Sequence, residues 1–223
     1  MAGIFKKLEQ SPLKVRVIPF VLFVLPLALQ GPLGLGSAFW IYVLRTCAGA
    51  ALVWWMWPRV REMRWAFSWE AVVAGVAVFL LWVGLGDVAP RLMQGEEASW
   101  NPHEVYGAGS GLAWFFVIVR LLGSSLVVPP MEEVFYRSFF YRYMVRSEFM
   151  GVELKHFDLR ALVVTSLVFG FAHHEWLAGI VCGLIYQGLV LRKGRLGDAM
   201  TAHAITNFLL GVWVIYRGAW HFW

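Results

Sequence analysis

The feature that most constrains this chain is a succession of apolar blocks, each long enough for a helix to cross a lipid layer. The blocks cover residues 38–57, 71–86, 111–128, 161–172, 176–191 and 196–216, and an earlier run extends from the basic N-terminal stretch to about Gly36. A helix of roughly 20 apolar residues spans the ~30 Å hydrocarbon core, where the backbone must satisfy its own hydrogen bonds. The expectation is an all-α fold, a polytopic membrane helix bundle of about seven or eight transmembrane helices. Composition agrees. Hydrophobic residues make up 60% and charged residues 15% of the 223, and the mean hydropathy is +0.64. A soluble domain carries roughly 45–50% apolar residues. The thirteen Trp gather near block ends, as in Trp54-Trp55-Met56-Trp57 and Trp220-His221-Phe222-Trp223, where indoles favour the lipid boundary. With no Ser- or Pro-rich linker, residues 1–223 read as a single integral membrane domain.

Basic residues set orientation and partners. Lys6, Lys7, Lys14 and Arg16 precede the first apolar run, which lacks a clear cleavage site and reads as a retained span. Arg59, Arg61 and Arg64 follow the second block, whereas Glu96, Glu97 and Glu104 make the next turn acidic. Positive-inside placement then puts the N-terminus in the cytoplasm. The net charge of +5 belongs to segment ends and lipid headgroups, so the bilayer is the expected partner and nucleic acid is not. Cys47 and Cys182 lie alone inside apolar blocks and read as small packing residues. Residues 131–146 are helical in pattern but charged. They could span, dip or lie at the interface, which leaves the helix count and the side of the C-terminus open.

A charge inside hydrocarbon costs about 2.5–3.5 kcal/mol, so polar residues in apolar blocks mark a partner or a task. Three groups stand out. The first is Glu132-Glu133-Val-Phe-Tyr-Arg137, directly after Pro129-Pro130. The prolines suit a helix start, which would place both glutamates in a first turn favourable to negative charge. Glu133 and Arg137 are one turn apart and can pair. Glu132 points about 100° away. The second is Phe169-Gly-Phe-Ala-His173, ending an apolar helix, where a histidine can equally well bond the last carbonyls. The third is His203-Ala-Ile-Thr-Asn207, whose i, i+4 spacing puts imidazole and amide on one face; an interhelical clasp is the plainer use. Together these groups could activate a water and steady an oxyanion, the two needs of amide hydrolysis. Two His and one Glu are also a hydrolytic zinc set with one open position. Spacing does not choose between the two.

In order and in apolar context, E-E-x-x-x-R, F-x-x-x-H and H-x-x-x-N resemble the motif set of the CPBP family (CAAX protease/bacteriocin-processing, or Abi), which are intramembrane endopeptidases. The resemblance covers Glu132 to Asn207, within a motif-bearing half at about 111–216. The stretch Ala172-His-His-Glu-Trp176 and the Trp-rich C-terminus are similar to the short CAAX protease-related members found beside bacterial exosortase sorting systems. The resemblance implies a bacterial inner-membrane endopeptidase that hydrolyses a peptide bond of a membrane-associated substrate, prenylated or carrying a sorting signal. It implies Glu132 as general base assisted by His173, Glu133 and Arg137 as the pair that orients the base, and His203 and Asn207 as oxyanion donors. A cofactor-free mechanism is favoured, with zinc on Glu132, His173 and His203 as the alternative.

Other residues carry plainer readings. Arg45 and Arg120, inside apolar blocks, pair with loop carboxylates, snorkel or steer substrate. His103 reads as solvated, His156 and His221 as interfacial, Asp198 as a helix N-terminal residue, and His174-Glu175 as a polar turn. Ala108-Gly-Ser-Gly111 and Gly123-Ser-Ser-Leu126 both depart from the Gly-x-Ser-Gly of a rhomboid-like serine mechanism. A transporter would spread its polar residues over two similar halves, whereas here they crowd into one. A non-catalytic immunity-type partner would lose a motif residue, and all are present.

Overall fold

The computed structural model describes residues 11–26, 35–86 and 100–223, and among these it contains helices and connecting turns only. The eight α-helices are α1 (Pro12–Val24), α2 (Leu35–Met56), α3 (Trp69–Gly86), α4 (Pro102–Tyr106), α5 (Gly111–Val145), α6 (Leu159–Phe171), α7 (Trp176–Lys193) and α8 (Gly197–Arg217). Of the described helices, α2, α3, α5, α7 and α8 are long and apolar enough to cross a membrane, and α6 is a shorter apolar helix. The all-helical bundle read from the sequence is therefore the architecture. Lys6 and Lys7, most of the first turn, and Glu96 and Glu97 lie outside the described residues.

One expectation is corrected. Pro129 and Pro130 do not start a new helix; they lie inside α5, which winds on for 35 residues. The accommodation is a change of helical pitch. At Gly123–Val127 the ladder widens to a π turn, and the Val128 N–H bonds Gly123 O, five residues back instead of four. The two prolines have no N–H to offer, so the ladder is already interrupted there, and a π turn spreads the deficit without a break. A second π segment, Val134–Phe140, follows, with the Tyr141 N–H on Tyr136 O. Glu132 and Glu133 thus sit in mid-helix, where a first-turn dipole cannot explain them. Thirty-five residues run roughly 50 Å, so α5 is longer than the ~30 Å core is thick.

Small residues bring the neighbouring helices close. A Cβ on Gly123 would meet Thr46 Oγ1 at 2.8 Å, and one on Gly49 would meet Val127 Cγ1 at 2.7 Å. With Phe39 5.4 Å from Phe116 between ring centroids, these contacts run α2 alongside α5 in the same direction. On the other side, Thr206 of α8 donates to Gly75 O of α3 at 2.8 Å and receives the Tyr186 hydroxyl of α7 at 2.7 Å. Such interhelical bonds through small residues hold membrane helices where lipid supplies no hydrophobic drive.

At the C-terminal end of α5, the turn between α2 and α3 supplies Glu62 to a buried clasp that motif reading had missed. Arg16 of α1 and Arg142 of α5 reach Glu62 Oε1 at 2.7 and 2.8 Å. Each also donates to Ser138 Oγ at 2.9 Å, and the Ser138 hydroxyl donates to Glu62. Burial opposes the charge on Glu62, but Arg16 and the hydrogen bonds from Ser138 and Arg16 outweigh it and hold the carboxyl below its usual range. A depressed folded-state pKa stabilises the fold above the unfolded value and is lost as pH falls through the folded one. The melting temperature of the wild type should therefore be level near neutrality and fall below about pH 4. Glu62→Gln should lower it at neutral pH, by about 3–5 kcal/mol of stability, and flatten that acid slope. A parallel acid slope in the variant, measured by thermal melts in detergent, would exclude Glu62 as its source.

Candidate active site

The site is built around one fully buried ion pair. Glu133 and Arg137, one turn apart on α5, face each other at 3.3 Å with no exposed side-chain surface on either. The guanidinium lies over the Phe169 ring of α6, 4.3 Å from its centroid. Its nitrogens make no aligned hydrogen bond among the described residues. The pair is thus held by charge and by the ring face. The spacing had suggested the pair, but its third member has no sequence signal. His203 of α8 places Nδ1 2.9 Å from Glu133 Oε1. An ionised carboxylate only accepts, so Nδ1 carries the proton and the other ring nitrogen is directed elsewhere.

That nitrogen looks toward Glu132. His203 Nε2 is 4.0 Å from Glu132 Oε2, and the Glu132 side chain keeps 15% of its surface exposed against none for Glu133. Two adjacent glutamates have acquired opposite situations. One is locked between an arginine and a histidine; the other is partly open, with Oε2 lacking a hydrogen-bond partner. The 4.0 Å gap is of the size a bridging water fills.

His173 ends α6, and its Nδ1 lies 2.7 Å from Phe169 O. A carbonyl only accepts, so Nδ1 is the protonated nitrogen and Nε2 keeps its lone pair. The ring packs edge-on to Trp82 of α3 at 5.4 Å. Phe169 links the motifs, its centroid 4.8 Å from His173 and 6.2 Å from His203. Asn207 donates from Nδ2 to Ser124 O at 2.8 Å. The π turn explains why: in an α-helix Ser124 O would receive the Val128 N–H, which here goes to Gly123 O. The amide caps the stranded carbonyl and has one N–H left.

Among the described residues, no group of three His, Cys, Asp or Glu side chains is gathered as a metal-ion cluster.

The plainer candidates are also placed. Ser110 is an N-cap, accepting from the Ala113 N–H at 3.1 Å, and the Ser124 hydroxyl donates to Leu121 O at 3.2 Å, so both have structural work. His103 is not solvated as expected; its ring packs against Trp114 and Trp220 at 5.2 and 5.7 Å. Asp198, in the first turn of α8, is paired with Arg195. His174 and Glu175 lie in the turn between α6 and α7. Cys182 is buried and Cys47 exposed, both free.

Stranding one member of a buried ion pair costs about 3–5 kcal/mol. Glu133→Gln and Arg137→Ala should each lower the melting temperature by an amount of that order, while Glu132→Gln should melt close to wild type. Three equal melting temperatures would contradict the division between the two glutamates.

No curated protein and no solved structure matches the chain. One family model does, described as type II CAAX prenyl endopeptidase Rce1-like, over residues 111–209. These residues begin at the start of α5, end within α8, and hold every residue of the buried group. The segment that carries Glu132, Glu133, Arg137, His173, His203 and Asn207 is therefore similar to a type II CAAX prenyl endopeptidase Rce1-like domain.

Proposed function

We propose that the protein is an intramembrane endopeptidase that cleaves a membrane-associated peptide by direct attack of water, without an acyl-enzyme. The observation that carries this reading is the asymmetry of the two glutamates. Glu133 is committed to Arg137 and His203, whereas Glu132 is partly open with an unpartnered oxygen. Glu132 is the general base. A water between Glu132 and the neighbouring imidazoles loses its proton to the carboxylate as its oxygen attacks the scissile carbonyl. His173, with Nδ1–H tied to a backbone carbonyl, offers Nε2 as a second acceptor to that water. Glu133 holds His203 from behind and stabilises it as an imidazolium that has taken a proton from solvent on Nε2 before the attack, so that this N–H donates to the developing oxyanion and stays on the ring through the cycle. The free N–H of Asn207 is the second donor. The proton taken by Glu132 then passes to the leaving amine as the carbon–nitrogen bond breaks.

The substrate class is a prenylated or sorting-signal peptide. The setting is a bacterial inner membrane with the N-terminus in the cytoplasm, supported by the basic residues that precede α1 and follow α2. No step is routed through a metal.

A general base contributes typically 10²–10⁴-fold. Purified Glu132→Ala should therefore lose turnover by at least about 100-fold while staying monodisperse, and the wild type should keep its activity after exhaustive chelation. Undiminished turnover in Glu132→Ala, or activity that disappears on chelation and returns in step with added zinc, would overturn the reading.

Asn207 separates two roles in one variant. Loss of an oxyanion donor lowers kcat by roughly 10²–10³ with KM little changed. Loss of a membrane clasp lowers stability by about 0.6 kcal/mol with kcat nearly normal. The proposal expects the first for Asn207→Ala, read from kcat, KM and the melting temperature together. A lowered melt with wild-type kcat would reduce Asn207 to the cap of Ser124 O.

A further inference from the structure

Two arginines stand deep in spanning helices with no ion pair among the described residues. Arg45 and Arg120 lie about ten residues, or roughly 15 Å, past the starts of α2 and α5. Both are half-buried and converge on Tyr42, with their Cζ atoms 5.7 and 4.9 Å from its ring centroid. Each is pressed against further rings: Arg45 on Phe23 at 4.0 Å, and Arg120 on Trp100 at 4.3 Å and Trp223 at 5.4 Å. Arg45 Nε donates to Phe23 O at 3.0 Å. Among the described residues neither guanidinium forms an ion pair, and the Arg120 guanidinium forms no hydrogen bond. The loop carboxylates Glu96 and Glu97, once candidate partners, lie outside those residues.

The rings lie against the guanidinium groups, and among the described residues the N–H groups other than Arg45 Nε make no hydrogen bond. Two such cations near each other in an apolar surrounding repel, and each resists leaving water. The arrangement is costly as a packing device and apt as a receptor, because the planar fork matches a carboxylate in two parallel hydrogen bonds. The Arg45 charge also lies within electrostatic reach of Glu132. Arg45 thus lies between Arg120 and the site in electrostatic terms. Arg120 is about twelve residues from Glu132 on the same helix, roughly 18 Å, and the long arginine side chains shorten the distance to a few extended residues. A lipid phosphate could supply an anion, but headgroups sit at the boundary, roughly 15 Å from this depth.

We propose that Arg45 and Arg120 form a carboxylate-binding subsite that receives the anionic end of the peptide, a few residues from the bond cut at Glu132. The inference rests on the endopeptidase reading and names how that site selects its substrate. The carboxylate is a chain terminus or an acidic side chain near it.

The test uses the full-length protein in phospholipid nanodiscs and three fluorescent, S-farnesylated peptides. All end in the farnesylated cysteine and three further residues. One is the free acid, the second its C-terminal amide, and the third an amide with aspartate as its last residue. Charged hydrogen bonds of this kind correspond to about 10–100-fold. The wild type should favour the free acid over the amide by that factor in kcat/KM, mainly through KM. Arg45→Gln and Arg120→Gln should each abolish the preference, and Arg120→Gln, about twelve residues from Glu132, should cleave the amide as the wild type does. Cleavage of the aspartate peptide like the acid assigns the subsite to any carboxylate; cleavage like the amide assigns it to the terminus. Equal handling of acid and amide by the wild type would overturn the proposal. So would arginine variants that lose both substrates in proportion, the mark of a structural role. A rate that follows anionic lipid content, with no acid preference, would overturn it in favour of headgroup binding.

Binding of the same peptides to Glu132→Gln protein separates this idea from the endopeptidase reading. If the wild type cleaves none of them, yet Glu132→Gln binds the acid at least about 10-fold tighter than the amide and the Arg45→Gln double variant does not, the endopeptidase reading falls and the subsite stands. Equal binding of acid and amide removes the subsite whatever the turnover.

Discussion

The ion pair between Glu133 and Arg137 lies where neither charge has any water, and the rest of the site follows from how that cost is offset. Buried charges gain little net stability from one another, but removing either strands its partner. The helix around them is therefore tightly specified. Phe169 of α6 covers the guanidinium face, and His203 of α8 takes the second glutamate oxygen. Through these two contacts a local i, i+4 pair on α5 determines where α6 and α8 can sit. It also separates Glu132 from Glu133, and the chemistry depends on that separation.

The π turns of α5 are the second device. A helix with two adjacent prolines inside must lose hydrogen bonds, and the widened turn at Gly123–Val127 takes the Val128 N–H away from the Ser124 carbonyl. Asn207 closes it from α8. The residue expected to hold an oxyanion thus also repairs the backbone, and its two N–H groups allow both tasks. Pitch changes of this kind recur at functional sites, because they turn side chains such as Glu132 out of the register a regular helix would impose.

The ends of α5 are treated differently. At its C-terminal end Glu62 satisfies two arginines at once, and Ser138 completes a closed network tying α1, α5 and the α2–α3 turn. In its N-terminal part Arg120, with Arg45 beside it, has rings for company and no carboxylate among the described residues. The contrast shows that this fold can neutralise buried arginines where it needs rigidity. The arginine pair, with no carboxylate partner among the described residues, reads as a place kept for an incoming anion.

Much of this was legible in the sequence, for a physical reason. Apolar blocks of spanning length can only be helices in lipid, and charges within them are too costly to be incidental, so the all-α bundle and the three polar groups followed from composition and spacing. The i, i+4 relation of Glu133 to Arg137 is local and was visible as well. Contacts between helices were not, because nothing in the spacing of one helix says which residue of another it will face. Only tertiary structure paired His203 with Glu133, gave Arg16 and Arg142 a common carboxylate in Glu62, and set Arg45 beside Arg120 around Tyr42. It also decided that the two prolines bend a continuous helix and do not begin one. Proline limits a single backbone position, but whether the chain breaks or widens its ladder depends on a donor such as Asn207 arriving from more than 80 residues away.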